Sequence, residues 1–376
     1  MKLSPGRSGG PAGSTAGGQG AAASAPAAAA HRARGPARAW TAAALLVAAA
    51  LLALAPLFSG DYAQQVSFRI FEYAALGQAW NLLAGYGGLV SLGSAAFIGI
   101  GEYTTAELTN HGLPLVPGML VSGAFAAAFA TIVSPALFRL RGLYFTIGTL
   151  ALAEALRLFM VNYNGLGGNI GVLLESAAPT TAGLYWLSLG VAAAATGLVL
   201  LVLRTRLTIS LRAVRDDEDV ARQMGLWSFR TKLFAFTFAA FLMGVAGGLQ
   251  AGKLSHIEPY GAFGLQWTVD IVTVVLIGGL GTTGGPLVGA VFTVALAELL
   301  SGSPSLHLAI TGAIVIAVVR FAPNGLWGVA TRGVAHLRAA RWGSGGSKRE
   351  AKGGAPESEA EPSVAPRWTD RAGRAP

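Results

Sequence analysis

The 376-residue sequence contains no cysteine, and charged residues make up only 12% of it. The missing cysteines exclude disulfide bonds, thiolate metal sites and cysteine nucleophiles. A soluble domain usually carries about 25% charged residues, because polar groups must cover its surface. Since 53% of this chain is hydrophobic, the composition predicts a membrane protein.

Histidine is also scarce, and the five histidines are scattered without the spacing of metal ligands. No catalytic constellation accompanies them, so we expect no metal, no cofactor and no enzymatic reaction in this chain. The net charge of +9 is compatible with nucleic acid binding. The basic residues flank apolar segments instead of forming one stripe, however, and we therefore expect no nucleic acid partner.

Ten apolar segments lie between two tails of low complexity, residues 1–38 and 340–376, which we predict to be disordered. The ten apolar segments predict an all-α polytopic membrane domain over 39–339, with about eight to ten transmembrane or re-entrant helices. The third, eighth and ninth segments are short or broken by glycine, as in discontinuous helices. The segments are 40–58, 67–84, 89–108, 116–138, 143–161, 183–203, 231–251, 267–283, 286–302 and 305–321.

The distribution of positive charge predicts the orientation. If the N-terminus is cytoplasmic, all but three of the 27 lysines and arginines fall on the cytoplasmic side, the exceptions being Arg69, Arg157 and Lys253. Membrane proteins keep such residues in their cytoplasmic loops. We therefore expect both termini in the cytoplasm.

One long polar stretch interrupts the apolar chain, RTRLTISLRAVRDDEDVARQMGLWSFRTK at 204–232, and we call it the polar segment. Its charges predict a short amphipathic helix over 214–224, with acidic residues near its start. Gly225 follows where a helix can end. The orientation places this segment in the cytoplasm, where it can contact a soluble partner.

Two glycine clusters resemble each other, LLAGYGGLVSLGSAAF at 82–97 and LIGGLGTTGGPLVGAVF at 276–292. Paired glycine-interrupted segments can mark a translocation pathway, but small residues also serve close helix packing, and both interpretations stay open. The candidate pathway or helix-break residues are Gly85, Gly88, Ser91, Gly93, Gly279, Gly281 and Gly284.

Two nucleotide-binding patterns in the sequence lack their required context. The G-x-G-x-x-G at 279–284 is flanked by apolar segments instead of a soluble strand, and the G-x-x-x-x-G-K at 247–253 is followed by Leu254 instead of Ser or Thr. We therefore expect that this chain does not hydrolyse ATP by itself.

Ionisable groups within apolar segments either line a polar pathway or neutralise each other. Glu154 and Arg157 lie three residues apart on one helical face, as do Arg69 and Glu72. We favour neutralising pairs for both. Glu102, Glu107, Asp270 and Glu298 have no evident partner in the sequence.

The polar segment contains a pattern close to R-E-N-E-x-A-A-x-x-M-G, with Val220 in place of the first alanine and Asp219 as an additional charge. The matching residues are Arg215, Asp216, Asp217, Glu218, Ala221, Met224 and Gly225. This pattern resembles the cytoplasmic loop of the permease subunits of ABC importers for branched-chain amino acids, of the LivM type. Further stretches are similar to that family at 81–106, 139–162, 278–290 and 320–328, with Ser94, Glu102 and Thr146 as departures.

The resemblance implies a multi-pass permease of the inner membrane that translocates Leu, Ile or Val. Its implied partners are a second homologous permease, two ATPase subunits, an extracytoplasmic solute-binding protein and membrane lipid. Five residues of the loop would then couple to the ATPase, namely Arg215, Glu218, Ala221, Met224 and Gly225.

Two alternatives stay open. Permeases for urea or short amides are very similar to this family, so that urea or a short amide is a second candidate solute. A stand-alone secondary transporter or channel would instead use Glu102, Asp270 or Glu298 as a titrating group in the pathway.

Overall fold

The computed structural model describes residues 60–174, 179–302, 304–321, 325–329 and 331. The described residues from Asp61 onward belong to one compact unit. The apolar segment predicted at 40–58 and the tails predicted at 1–38 and 340–376 lie outside the described residues.

The described residues form twelve α-helices and one antiparallel pair of two-residue strands, in which β1 (Val172–Leu173) pairs with β2 (His256–Ile257). A π-helical turn (Asn81–Tyr86) continues the first helix. The α-helices are α1 (Asp61–Trp80), α2 (Ser94–Asn110), α3 (Leu115–Leu137), α4 (Leu143–Asn162), α5 (Thr181–Leu203), α6 (Leu207–Asp216), α7 (Glu218–Gln223), α8 (Ser228–Lys253), α9 (Pro259–Ala262), α10 (Leu265–Gly278), α11 (Gly285–Leu299) and α12 (Pro304–Phe321).

Five stretches of the described residues are long and apolar enough to cross a membrane: α3, α4, α5, α8 and the combined α9 and α10. The prediction of an all-α polytopic membrane protein is confirmed. Helix α1 has the length of a membrane span, but Asp61, Arg69 and Glu72 make it more polar than the five.

The helices run between two ends of the bundle. At the polar-segment end, α6 and α7 lie beside the residues that follow the π-helical turn and beside the start of α4. At the hairpin end, β1 and β2 pair, and Asn110 Nδ2 donates a hydrogen bond of 2.9 Å to Leu173 O. Arg139 and Arg141 precede α4 and lie at the polar-segment end with the seven basic residues of 204–232.

Helix α8 is the most buried of the five stretches that are long and apolar enough to cross a membrane, and it packs against α2 and α3. Glycines bring these backbones together, since a Cβ on Gly101 of α2 would collide with the carbonyl of Gly244 on α8, and one on Gly247 with the carbonyl of Ile98. Small residues at such crossings allow van der Waals packing where no hydrophobic effect operates between helices. The core of the bundle is therefore built on backbone contact.

Three sequence expectations differ from the structure. The segment expected at 89–108 is helical only from Ser94, because glycines at 87, 88 and 93 leave the preceding chain unwound. The helix expected at 214–224 is broken at Asp217, whose extended backbone (φ −156°) begins a separate helix. The prediction that Arg69 pairs with Glu72 is wrong, because Arg69 Nη1 instead lies 3.1 Å from Glu298 Oε1 of α11.

Candidate functional site

The polar segment forms two short helices with a capped junction and a defined end. The Asp217 carboxylate accepts hydrogen bonds from the backbone N–H groups of Asp219 (2.9 Å) and Val220 (3.0 Å), which starts α7. At the other end Gly225 has φ +83°, and Leu226 N donates to Ala221 O at 3.0 Å. This is a Schellman termination that requires a left-handed residue, so the sequence correctly predicted Gly225 as the helix end.

The two helices bury one face and leave large apolar side chains exposed on the other. On α6, Thr208, Leu211 and Val214 are buried at helical spacing, and on α7 Ala221 is 1% exposed. The outer side chains are Ile209, Val220, Met224 and Trp227, which are 71%, 49%, 75% and 68% exposed. Exposed apolar side chains surrounded by charge are typical of a protein contact surface.

An ion-pair network fixes α7 to the start of α8. The Glu218 carboxylate contacts the Lys232 ammonium and accepts from Arg222 Nη2 at 2.7 Å. Partial burial raises the pKa of the Glu218 carboxyl, but the hydrogen bonds and charges of Lys232 and Arg222 outweigh burial and hold that pKa below its ordinary value. The network therefore stabilises α7 above the ordinary glutamate pKa, about 4.3, and its contribution is lost as the pH falls through the lowered value.

Lys232→Gln is expected to loosen α7 without unfolding the bundle. Glu218 would keep only Arg222, and the loss of a partly buried pair costs about 1 kcal/mol. Hydrogen exchange of the amides of 218–224 should then speed up about fivefold at pH 7. Arg230→Gln is the matched control, because its guanidinium stacks over Trp227 at 4.4 Å and does not touch Glu218. Equal exchange in both variants would contradict the assigned role of the network.

Arg215 joins the polar segment to the body of the bundle. Arg215, at the end of α6, donates a hydrogen bond to the carbonyl of Gly85 in the π-helical turn. Gly88 has φ +69°, and a Cβ on it would press against the Arg215 side chain. A cleft of about 610 Å³ opens beside this contact, between the polar segment and the start of α4.

The unwound residues 87–93, which we call the first glycine break, are held by side chains of α1, α4 and α10. Thr146 Oγ1 of α4 donates to Val90 O at 2.8 Å, and Leu92 N donates to Thr149 Oγ1 at 3.1 Å. Thr268 Oγ1 of α10 donates to Leu92 O at 3.2 Å. Unwound backbone inside a membrane protein needs such partners, so the first glycine break is a built element.

Trp80 and Ser91 add to this element, because Trp80 Nε1 donates to Ser91 O at 2.8 Å. Gly93 N donates to Ser91 Oγ at 3.2 Å. A Cβ on Gly93 would collide with the carbonyl of Thr149. Ser91 and Gly93, predicted as break residues, therefore lie at the entry to α2.

The second glycine break, residues 279–284 between α10 and α11, lies directly against the π-helical turn that leads into the first break. A buried asparagine clamps this turn to the second break, since Asn81 Oδ1 accepts from Gly281 N at 2.7 Å and Asn81 Nδ2 donates to Thr282 O at 2.8 Å. Gln78 Nε2 adds a hydrogen bond of 3.0 Å to Thr283 O. The structure therefore brings Gly85 against Gly281 at the polar-segment end, and the Arg215 side chain lies next to both Gly281 and Gly88.

The second break also receives the last described residues of the chain. A Cβ on Gly284 would collide with the ring of Trp327, and one on Gly325 with the backbone of Gly279. The stretch 325–329 therefore packs closely on this break.

Asn81→Leu is expected to release the second break. It removes two hydrogen bonds and leaves the Gly281 N–H and the Thr282 carbonyl without these partners, at about 1–3 kcal/mol for each group. Amide exchange in 279–284 should therefore accelerate at least about tenfold. Asn110→Leu, at the hairpin end, is the matched control and should leave exchange in 279–284 unchanged. If the amides of 279–284 exchange as slowly in Asn81→Leu as in the wild type, the backbone alone holds the second break.

The intramembrane acidic residues have different surroundings. Glu154 pairs with Arg157 of the same helix, as predicted, and the guanidinium of Arg157 stacks over Tyr260 at 4.6 Å. Asp270 accepts from Tyr73 and Gln266. In the described part of the chain, no cluster of three His, Cys, Asp or Glu side chains could hold a metal ion.

The sequence missed the clamp residues Gln78 and Asn81 and the three threonines that hold the first break. The available signal was their polarity within apolar segments. A single asparagine amide or threonine hydroxyl in a membrane segment does not by itself reveal which carbonyl it binds.

Comparisons with known proteins agree with this architecture. Residues 62–319 match the family described as "Branched-chain amino acid transport system / permease component". The chain is 26% identical to the high-affinity branched-chain amino acid transport system permease protein LivM of Escherichia coli (strain K12) over 314 residues, which are 75% of this chain and 74% of that protein. It is 27% identical to the LivM protein of Salmonella typhimurium (strain LT2), over 68% of this chain and 67% of that protein.

A relative with a different named cargo is also similar. The autoinducer 2 import system permease protein LsrC of Enterobacter sp. (strain 638) is 29% identical over 54% of this chain and 60% of its own length. No solved structure matches the chain.

Proposed function

The chain belongs to the family of permease components of branched-chain amino acid transport systems, and on that premise we propose that its solute is leucine, isoleucine or valine. It is a multi-pass permease subunit of an ABC importer in the inner membrane. The relatives at the greatest matched length carry branched-chain amino acid transport in their names. That agreement favours these solutes over urea or a short amide.

The proposed complex contains a second homologous permease, two ATPase subunits and an extracytoplasmic solute-binding protein. The ATPase is expected to bind the polar segment from the cytoplasm. Val220, Met224 and Trp227 supply exposed apolar contacts there, and the capped α7 presents them on a fixed frame. Buried Ala221 lies on the inner face of α7, so its proposed coupling role is to let that helix pack closely.

The contact of Arg215 with Gly85 carries this proposal. It connects the surface offered to the ATPase with the π-helical turn that leads into the first glycine break, and Asn81 of that turn connects it with the second break. A displacement of α6 and α7 on ATP binding would therefore reach the inner ends of α1, α2, α10 and α11 together. Such helix ends, joined by unwound backbone, can tilt without losing their hydrogen bonds, which is what switching between outward and inward access requires.

The proposed function is tested by uptake into proteoliposomes that contain the full complex. Labelled leucine should accumulate only with ATP inside and the binding protein outside, and unlabelled isoleucine and valine should compete. Uptake of labelled urea without uptake of leucine would replace the proposed solute. Leucine uptake driven by a proton gradient in the absence of ATP would instead identify a secondary transporter.

A further inference from the structure

A cavity of about 500 Å³ lies between α1, α8, α10 and α11, away from the glycine breaks and toward the hairpin end. Its lining combines charges of both signs with an apolar wall. The charged lining residues are Arg69, Glu72, Lys253 and Asp270, and Trp267, Val294 and Ala297 belong to the wall. Protein cavities that bind small molecules have this size and combine apolar surface with a few polar groups in the same way.

Three residues that line the cavity each carry a buried oxygen atom without a hydrogen-bond partner among the described residues: Glu72 Oε1, Gln250 Oε1 and Thr293 Oγ1. Glu72 is only 3% exposed and Thr293 only 8%. Buried oxygens without partners are costly, and each such group in a folded protein calls for an explanation. An ammonium group carries three N–H donors and no acceptor, so it can satisfy acceptors of this kind.

The other acidic side chain of the cavity is already satisfied. Asp270 Oδ2 accepts from the Tyr73 hydroxyl at 2.9 Å, and Asp270 Oδ1 accepts from Gln266 Nε2 at 2.7 Å. Glu72 is therefore the carboxylate of this cavity that offers an oxygen to a ligand.

The two basic side chains of the cavity also differ in whether they form an ion pair. Arg69 is held by Glu298 at 3.1 Å, whereas Lys253 forms no ion pair within the described part of the chain. The Lys253 ammonium lies over the ring of Phe68 at 4.6 Å. Lys253 is thus available to a carboxylate ligand, beside the oxygens that suit an ammonium group.

We infer that this cavity binds the zwitterionic form of an aliphatic α-amino acid, within the permease itself. The ammonium group of the ligand meets Glu72, Gln250 and Thr293, and its carboxylate meets Lys253. Trp267, Val294 and Ala297 contact its side chain. This inference rests on the proposed function and deepens it, because it assigns recognition of the solute to the membrane subunit.

The position of the cavity connects it to the rest of the molecule. Glu72 lies on α1, which continues into Asn81 and the glycine breaks, and Lys253 ends α8, which begins within the polar segment. A ligand that bridges Glu72 and Lys253 would therefore fix the outer parts of the two helices whose inner ends meet the coupling surface.

The absence of cysteine from this chain allows a direct test. Ala297→Cys places one thiol on the apolar wall, and its modification by a small methanethiosulfonate reagent is followed by the mass of this chain. The measurement uses the assembled permease–ATPase complex in nanodiscs without the binding protein, so that leucine has no other high-affinity site. Leucine should slow the modification. Isoamylamine, which lacks the carboxylate, and 4-methylpentanoate, which lacks the ammonium group, should slow it far less at equal concentration.

Two variants and a matched control identify the contacts. Glu72→Gln and Lys253→Gln should each raise the leucine concentration needed for half-protection at least about tenfold, since each removes one partner of a buried charge contact. Glu107→Gln should leave it unchanged, because Glu107 pairs with His111 and does not line this cavity. Thr293→Val keeps the side-chain volume and removes one acceptor, so it supplies a milder variant if a charge change prevents assembly.

The outcomes separate this inference from the proposed function. If the complex takes up leucine but leucine does not protect Ala297→Cys, the solute assignment stands and the binding site is wrong. Equal protection by isoamylamine or by 4-methylpentanoate would also overturn it, as would unchanged protection in Glu72→Gln, Lys253→Gln and Thr293→Val. Protection by leucine that depends on these residues supports the site, even if uptake assays find that the complex transports another amino acid.

Discussion

Gly101→Leu is expected to prevent stable assembly of the helix bundle. A Cβ at this position would collide with the backbone carbonyl of Gly244, and a backbone group cannot move aside as a flexible side chain can. Helices α2 and α8 would have to separate, at a cost of about 3 kcal/mol or more. The midpoint of thermal unfolding in detergent, measured by size-exclusion chromatography after heating, should fall by about 10 °C.

The control is the same substitution at an open glycine. Gly190 lies inside α5, with nothing within 4 Å of the position that a Cβ would take. Gly190→Leu adds the same side chain and raises helix propensity, so its unfolding midpoint should match or exceed that of the wild type. If Gly101→Leu also unfolds at the wild-type temperature, α2 and α8 do not depend on this backbone contact.

The helix boundaries show what periodicity and apolar length can predict. The segments expected at 116–138, 143–161 and 183–203 correspond to α3, α4 and α5 within two residues at each end. Such boundaries are predictable because the cost of exposing charge to lipid fixes where an apolar run must end. The breaks at 87–93 and 279–284 are predictable in part, since clustered glycines weaken a helix wherever they occur.

The tertiary contacts of the site could not be predicted in the same way. Arg69 has Glu72 three residues away, yet its guanidinium binds Glu298, which lies 229 positions further along the chain. The choice depends on the rotation of α1 against α11, and no local spacing contains that rotation. Likewise, the preference for basic residues in cytoplasmic loops explains why an arginine occurs at 215. Its hydrogen bond to Gly85 O depends instead on how the polar segment folds back onto the bundle.

Asp217 acts as an N-cap, which the acidic composition of this stretch does not reveal. Four consecutive acidic residues were expected to favour one helix start electrostatically. Asp217 instead takes an extended conformation and caps α7 with its own side chain, so the preceding residues belong to a different helix. An N-cap is recognised by its backbone conformation, which the composition of an acidic run does not specify.

Gly225→Arg is expected to uncouple ATP hydrolysis from transport. Gly225 has φ +83° with open space around the position of a Cβ, so an arginine fits but is strained by about 1–2 kcal/mol. The new side chain would project from the end of α7 beside Met224 and Trp227, the surface proposed to bind the ATPase. Leucine uptake by the reconstituted complex should fall at least about tenfold, while the permease still inserts into the membrane and ATP hydrolysis loses its dependence on solute.

Gly112→Arg is the control that separates the loss of coupling expected for Gly225→Arg from the effect of backbone strain. Gly112 has φ +89° and equally open surroundings, but it lies at the hairpin end, so the same strain should leave uptake and solute-dependent hydrolysis near wild type. If the two variants lose activity together, strain is the cause and the polar segment has no special role. If Gly225→Arg retains both solute-dependent hydrolysis and uptake, the ATPase does not bind at the end of α7. Because the two glycines are matched in conformation and in space, a difference between the variants isolates the one property they do not share, their end of the bundle.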